Sequence, residues 1–124
     1  MFTGIIQSIG ILEKVDPNAN LYFIKTNLDL NDCKVGSSIC CDGVCLTATS
    51  IIDRKINYLF EVNVGEETLK RSNLSNWKAG SQINIEKSLK VGDEISGHFV
   101  YGHVDSTLVV SKIENLINSW EFEF

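Results

Sequence analysis

Ser37-Ser38-Ile39-Cys40-Cys41-Asp42-Gly43-Val44-Cys45-Leu46-Thr47-Ala48-Thr49-Ser50-Ile51-Ile52 decides the fold class of this chain. Asp42-Gly43 supplies the positive φ angles that a tight two-residue hairpin requires, and apolar and β-branched residues run away from it on both sides. Such a turn sets Cys41 opposite Val44 and Cys40 opposite Cys45. Alternation then puts Val44, Leu46 and Ala48 on one face and Cys45, Thr47 and Thr49 on the other. Taken alone, the second face reads as an ordinary solvent face in which Thr serves strand propensity. The alternative is a pocket wall that exchanges hydrogen bonds with a ligand while staying partly apolar.

Further strands flank this hairpin. Residues 2–15 are rich in Ile and Leu, Asp16-Pro17-Asn18-Ala19-Asn20 is a run of turn formers, and Leu21-Tyr22-Phe23-Ile24 follows as a second strand. Ile56, Tyr58, Phe60, Val62 and Val64 alternate with polar residues except at Leu59, the signature of a strand with one face in the core. Gly65 leads into Glu66-Glu67-Thr68-Leu69-Lys70-Arg71-Ser72, with acids first and bases last, which predicts a short helix. Lys34-Val35-Gly36-Ser37 recurs as Lys78-Ala79-Gly80-Ser81 and Lys90-Val91-Gly92-Asp93, each an ordinary glycine turn feeding an extended segment. The expected fold is all-β: a small closed six-stranded antiparallel barrel of Greek-key type with one short helix, because closure spares short strands their exposed edges.

The opening pattern then returns. At an offset of 98 residues Gly4 aligns with Gly102, Ser8 with Ser106 and Lys14 with Lys112. Ile6, Ile11, Leu12 and Val15 meet aliphatic residues, Tyr22 and Ile24 meet Trp120 and Phe122, and a turn segment interrupts both copies. The chain therefore divides into a first barrel over residues 1–87, a linker over 88–97 and the incomplete start of a second, similar unit over 98–124.

Composition narrows the function. With 124 residues and 44% hydrophobic content, the chain has room for one domain with a sizeable core. The first residues show no signal-peptide pattern and no apolar run is long enough to span a bilayer, so the expected compartment is the cytosol, without membrane association. A net charge of -5 with scattered Lys and Arg offers no basic stripe for nucleic acid. The expected ligand is small and mostly uncharged. Cys33, Cys40, Cys41 and Cys45 match neither a zinc ribbon nor a Cys-x-x-Cys redox pair, and read as reduced thiols.

His98 and His103 are the only histidines. On an extended segment their spacing sends the rings to opposite faces, which disfavours a zinc site. A strand histidine is more often structural, but one near neutral pKa also suits proton transfer. Glu67 and Thr68 at a helix start are more often dipole-complementing residues than ligand contacts, although the same end offers free amide N–H groups to a ligand.

Taken together, Met1-Phe2-Thr3-Gly4-Ile5, Asp42-Gly43-Val44-Cys45-Leu46-Thr47, Glu67-Thr68-Leu69, Gly97-His98 and Gly102-His103-Val104-Asp105 resemble the riboflavin synthase family in order and spacing. Cys40-Cys41-Asp42 departs from that family's usual apolar or His residue and Asn before the glycine, and Tyr101 stands in place of a smaller polar residue. The resemblance implies two six-stranded barrels in tandem, of which this chain holds the first, the linker and two opening strands of the second. It also implies a dismutation in which two molecules of 6,7-dimethyl-8-ribityllumazine exchange a four-carbon unit, giving riboflavin and 5-amino-6-ribitylamino-pyrimidinedione. No metal or redox cofactor is implied.

By the same resemblance His103 lies near the reacting centre with Cys45 beside the heterocycle, both in assisting roles, since aligning two reactive substrates supplies much of the rate. Thr47 borders the heterocycle, Glu67 and Thr68 hold ribityl or ring polar groups, Gly102 and Val104 shape the wall, Phe2 and Thr3 flank the pocket, and Ser38 adds a hydroxyl. The family's site forms between the first barrel of one chain and the second of another. The expected partners are therefore the lumazine, riboflavin and further copies of the chain, a trimer at full length and a dimer for the first barrel alone. A non-catalytic lumazine or flavin carrier of the lumazine-protein kind is the alternative, and a purely structural barrel is the third reading. Cys40 facing Cys45 predicts that oxidation bridges them.

Overall fold

The computed structural model describes all of residues 1–124. Six strands form the barrel: β1 (Ser8–Asp16), β2 (Leu21–Thr26), β3 (Ser38–Cys41), β4 (Val44–Asp53), β5 (Tyr58–Asn63) and β6 (Gln82–Lys87). Every pairing is antiparallel, in the closed order β1-β2-β5-β4-β3-β6. A short helix α1 (Glu66–Arg71) and a 3-10 turn (Leu74–Asn76) connect β5 to β6. A separate two-stranded sheet of β7 (Lys112–Leu116) and β8 (Ser119–Glu123) ends the chain.

The β3–β4 hairpin has the expected register, with Cys41 opposite Val44, Cys40 opposite Cys45 and Ser38 opposite Thr47. Asp42 and Gly43 sit at φ 49° and 85°, where an aspartate and a glycine are tolerated and most residues are not. Asp42 does more than turn the chain. Its carboxylate accepts the Asn84 N–H at 2.8 Å and the Trp77 indole N–H at 3.1 Å, tying the turn to β6 and to the ring that packs edge-on against Tyr22.

Alternating side chains fill the barrel: Leu12, Tyr22, Ile24, Ile39, Cys41, Val44, Leu46, Ala48, Phe60, Val62, Ile83 and Ile85, closed at the ends by Leu30, Val64 and Leu74. Gly10 occupies a crowded position on β1, where a Cβ would lie 2.4 Å from Ile85 Cδ1 and 2.9 Å from Ile24 Cγ2. A mid-strand glycine here marks a close approach between neighbouring strands rather than a weak strand.

Two expectations need correction. Ile56 is 84% exposed, outside β5, because Lys55 adopts φ 71° in a turn closed by Arg54 N–H to the Asn57 carbonyl. Leu59, the break in the alternation, is buried outside the main core cluster, in register with Lys25 and Ile52. The glycine turns share one geometry: the first Lys N–H donates to the Ser or Asp side chain three residues on, whose own N–H returns to the Lys carbonyl. The third, at Lys90–Asp93, feeds irregular chain instead of a strand.

Beyond β6, residues 88–97 contain no strand, whereas residues 98–104 lie against the barrel. Phe2 N–H donates to the Val100 carbonyl at 2.7 Å, Val100 N–H returns to Phe2 at 3.0 Å, and His98 N–H donates to Thr3 at 3.1 Å. Gly4 and Gly102, aligned by the sequence repeat, both have positive φ, 82° and 72°.

Candidate functional site

Cys45 stands at the start of β4 on the outer face of the barrel, and its N–H donates to the Gly102 carbonyl at 2.8 Å. A Cβ on Gly102 would meet Cys45 Cβ and N at 2.9 Å, so steric contact and positive φ both demand glycine. His103 and Val104 follow this close approach and line the same cleft as Cys45. On the opposite side α1 holds the other end of the same segment. Arg71 Nε donates to Glu67 Oε1 at 2.5 Å while Arg71 Nη1 donates to the Asp105 carbonyl at 3.2 Å. The hydrogen bond and charge of Glu67 raise the Arg71 pKa further above its ordinary value.

These elements enclose a cleft of about 190 Å³, walled by Val44 and Cys45 from β4, Glu67, Thr68 and Arg71 from α1, Ser72 after it, and residues 102–104. The Cys45 thiol, Thr68 hydroxyl and His103 imidazole each make no hydrogen bond within the chain and remain free for a ligand. Across residues 102–104 lies a shallower hollow of about 370 Å³, bounded by Gly43 and residues 98–104, so His103 borders both spaces. Behind Cys45, burial and then the Glu86 charge push the Cys40 thiol up to about 11, keeping it protonated at neutral pH.

Of the residues singled out from sequence, Cys45, Glu67, Thr68, Gly102, His103 and Val104 meet in this cleft. Four lie elsewhere. Ser38 and Thr47 face each other farther along the hairpin, with Thr47 exposed. Phe2 is fully buried outside the barrel core, where its backbone bridges to Val100. Thr3 borders a different hollow of about 430 Å³, together with Asp32, Glu86, Lys87 and Lys90. That hollow is the largest, but its buried carboxylate and its central ion pairs are already engaged: Glu86 accepts from Thr3 and Gly4, and Asp32 from Lys87 and Lys90. The smaller cleft, with unengaged donors and acceptors, is the better candidate.

Arg71, Ser72 and Glu86 carry no distinguishing signal of function in the sequence. Arg71 is detectable only as the partner four residues after Glu67. Glu86 looks like one more polar position on a strand, and only the fold buries it.

The lumazine-binding domain family matches residues 3–88. Among curated relatives, a riboflavin synthase of Brucella abortus is 45% identical over 108 residues, 85% of this chain and 54% of that protein. One of Bacillus subtilis is 36% identical over 121 residues, 96% of this chain and 54% of that protein. The chain thus spans about half the length of these relatives. A solved structure of LumP complexed with 6,7-dimethyl-8-(1'-D-ribityl) lumazine superposes over 98% of this chain and 67% of that one, with a TM-score of 0.70 and 18% identity, a likeness of fold.

Proposed function

The chain belongs to the lumazine-binding domain family, and from that premise we propose that it binds 6,7-dimethyl-8-ribityllumazine in the Cys45–Thr68–His103 cleft and supplies half of a riboflavin synthase active site. The observation that carries this reading is the convergence of Cys45, Thr68 and His103, from three separate stretches of sequence, on one cleft with their polar groups free. The similarity to riboflavin synthases supports the reaction assignment. Because sites for small molecules usually enclose about 300 Å³ or more, a cleft of about 190 Å³ suits a ring covered from the other side by a second barrel.

In this reading residues 98–124 begin that second, similar barrel after a linker at 88–97. The exposed Trp120, Phe122 and Phe124 of the β8 region await its remaining strands, which the separate β7–β8 sheet does not find on the first barrel. The opposing half-site comes from another copy of the chain.

The chemistry follows from placement. The acidic C7 methyl of one lumazine loses a proton, and the carbanion attacks the second lumazine, after which a four-carbon unit is transferred to give riboflavin and 5-amino-6-ribitylamino-pyrimidinedione. His103 at the border of two spaces accepts or relays the proton, Cys45 contacts the heterocycle, and Thr68 with the α1 end binds polar edges. Holding two rings face to face supplies most of the acceleration.

Incubation with the lumazine tests this directly: riboflavin absorbance appears at a rate that rises more steeply than in proportion to protein concentration, because two half-sites must meet. Binding of lumazine and riboflavin without any product supports the second reading, a carrier, which the shared fold of LumP favours. Absence of binding by either ligand overturns both.

A further inference from the structure

We propose that Glu86 is a positioning residue, whose buried carboxylate latches the N-terminal segment and through it holds the wall of the candidate cleft in place. Glu86 lies on β6 and is only 3% exposed, yet no cation pairs with it. A buried carboxylate requires compensating donors. Here they come from the N-terminal segment. Oε1 accepts the Thr3 N–H at 2.6 Å and the Thr3 hydroxyl at 2.7 Å, and Oε2 accepts the Gly4 N–H at 3.1 Å. Successive backbone N–H groups form a concavity suited to an anion, and this anion belongs to the protein.

The latched segment is what residues 98–100 are built on. The Thr3 carbonyl accepts the His98 N–H, and Phe2 and Val100 exchange two hydrogen bonds. Gly97 fits so tightly that a Cβ there would lie 2.3 Å from the Thr3 oxygen. Two residues beyond Val100, Gly102 bonds to the Cys45 N–H and covers that residue, and His103 follows. Glu86 does not line the cleft. Its influence passes through two layers of backbone, from carboxylate to residues 2–4, from these to residues 98–100, and from there to the His103 wall.

The ligand consequence rests on the proposed function; the latch itself does not. In the full chain, Glu86→Leu removes both acceptor oxygens and with them all three hydrogen bonds. Glu86→Gln keeps one oxygen for Thr3 but turns an NH2 toward the Gly4 N–H. Glu94→Gln removes an exposed charge from the same hollow without touching the latch. Three measurements decide: amide hydrogen exchange at Thr3, His98, Val100 and Cys45, the iodoacetamide alkylation rate of Cys45 by peptide mapping, and riboflavin titration.

Because an orphaned buried donor favours local opening, Glu86→Leu is expected to raise exchange and Cys45 alkylation about tenfold or more. Exchange at Phe60 and Val62 in β5 should remain unchanged, Glu86→Gln should fall between, and Glu94→Gln should match the parent. Should Glu86→Leu not fold, the same comparison of Cys45 with β5 is made on Glu86→Gln. Equal acceleration in β5 and at Cys45 overturns the latch in favour of general destabilisation, and an unaltered Cys45 rate overturns it outright. Riboflavin affinity should fall in the same order. If the parent chain binds no riboflavin, the proposed function fails while exchange and alkylation still decide the latch.

Discussion

The two ends of the chain carry the same opening pattern and meet different fates. β1 and β2 pair with each other and also with β6 and β5, so one side of each buries Leu12, Tyr22 and Ile24. β7 and β8 pair only with each other, and every one of their residues is exposed. Even the register differs. The first hairpin closes at Asp16 and Leu21 across four residues, whereas the second closes at Leu116 and Ser119 across two. Residues 106–109, counterparts of the β1 stretch that pairs with β6, remain irregular. Alternation is thus a capacity for burial that only neighbouring strands realise, and a two-stranded hairpin by itself has no core.

The largest test of this contrast sets Phe60 against Trp120. Phe60→Ala empties the barrel centre and should destabilise the chain by about 3–5 kcal/mol in urea unfolding. Trp120→Ala, at a 60% exposed residue, should stay within about 0.5 kcal/mol. Equal losses would mean that the hairpin is packed in solution. A sharper version uses one repeat position: Gly10→Ala forces a Cβ against Ile85 and Ile24 and should lose about 1–3 kcal/mol of stability. Its counterpart Leu108, exposed beyond the barrel, should accept Ala without measurable change.

Register inside the barrel can be read covalently. Cys40 and Cys45 are direct cross-strand partners and both are free thiols. Mild oxidation by a disulfide reagent should join them, seen as a linked peptide by mass spectrometry. A link from Cys45 to Cys41 or Cys33 instead would contradict the hairpin register. The smallest effect concerns the linker. Hydrogen bonds from Lys90 and then Lys87 hold the Asp32 carboxyl well below the usual carboxylate range. A depressed pKa stabilises the folded state above the ordinary value of about 4, and the gain is lost as pH falls through the folded value. Asp32→Asn should therefore flatten the acid limb of stability slightly. The effect is small because these side chains are partly exposed, and it should vanish in high salt.

Much of the barrel is legible in sequence because its signals are local. Asp42-Gly43, the alternation through Phe60 and Val62, and the acid-to-base order of α1 each act within a few residues. Ile56 misleads because periodicity carries no mark of where a turn begins, and the Lys55 turn removes it from the strand. Cys45, Thr68 and His103 are singled out only by the family resemblance, since each taken alone reads as a solvent-face, dipole-complementing or structural residue, and their meeting in one cleft is set by the fold. Phe2, Thr3 and Glu86 are set by contacts between positions more than 80 residues apart, which no local pattern encodes.

The central claim is that the Cys45–Thr68–His103 cleft is the lumazine site. Titration of the isotopically labelled chain with 6,7-dimethyl-8-ribityllumazine, followed residue by residue in NMR spectra, tests it most directly. The expected result is saturable shifts concentrated at Cys45, Thr68, His103 and Val104, with Asp32, Lys87 and Lys90 unmoved. Shifts confined to the Thr3–Lys90 hollow, or none at all, would contradict it.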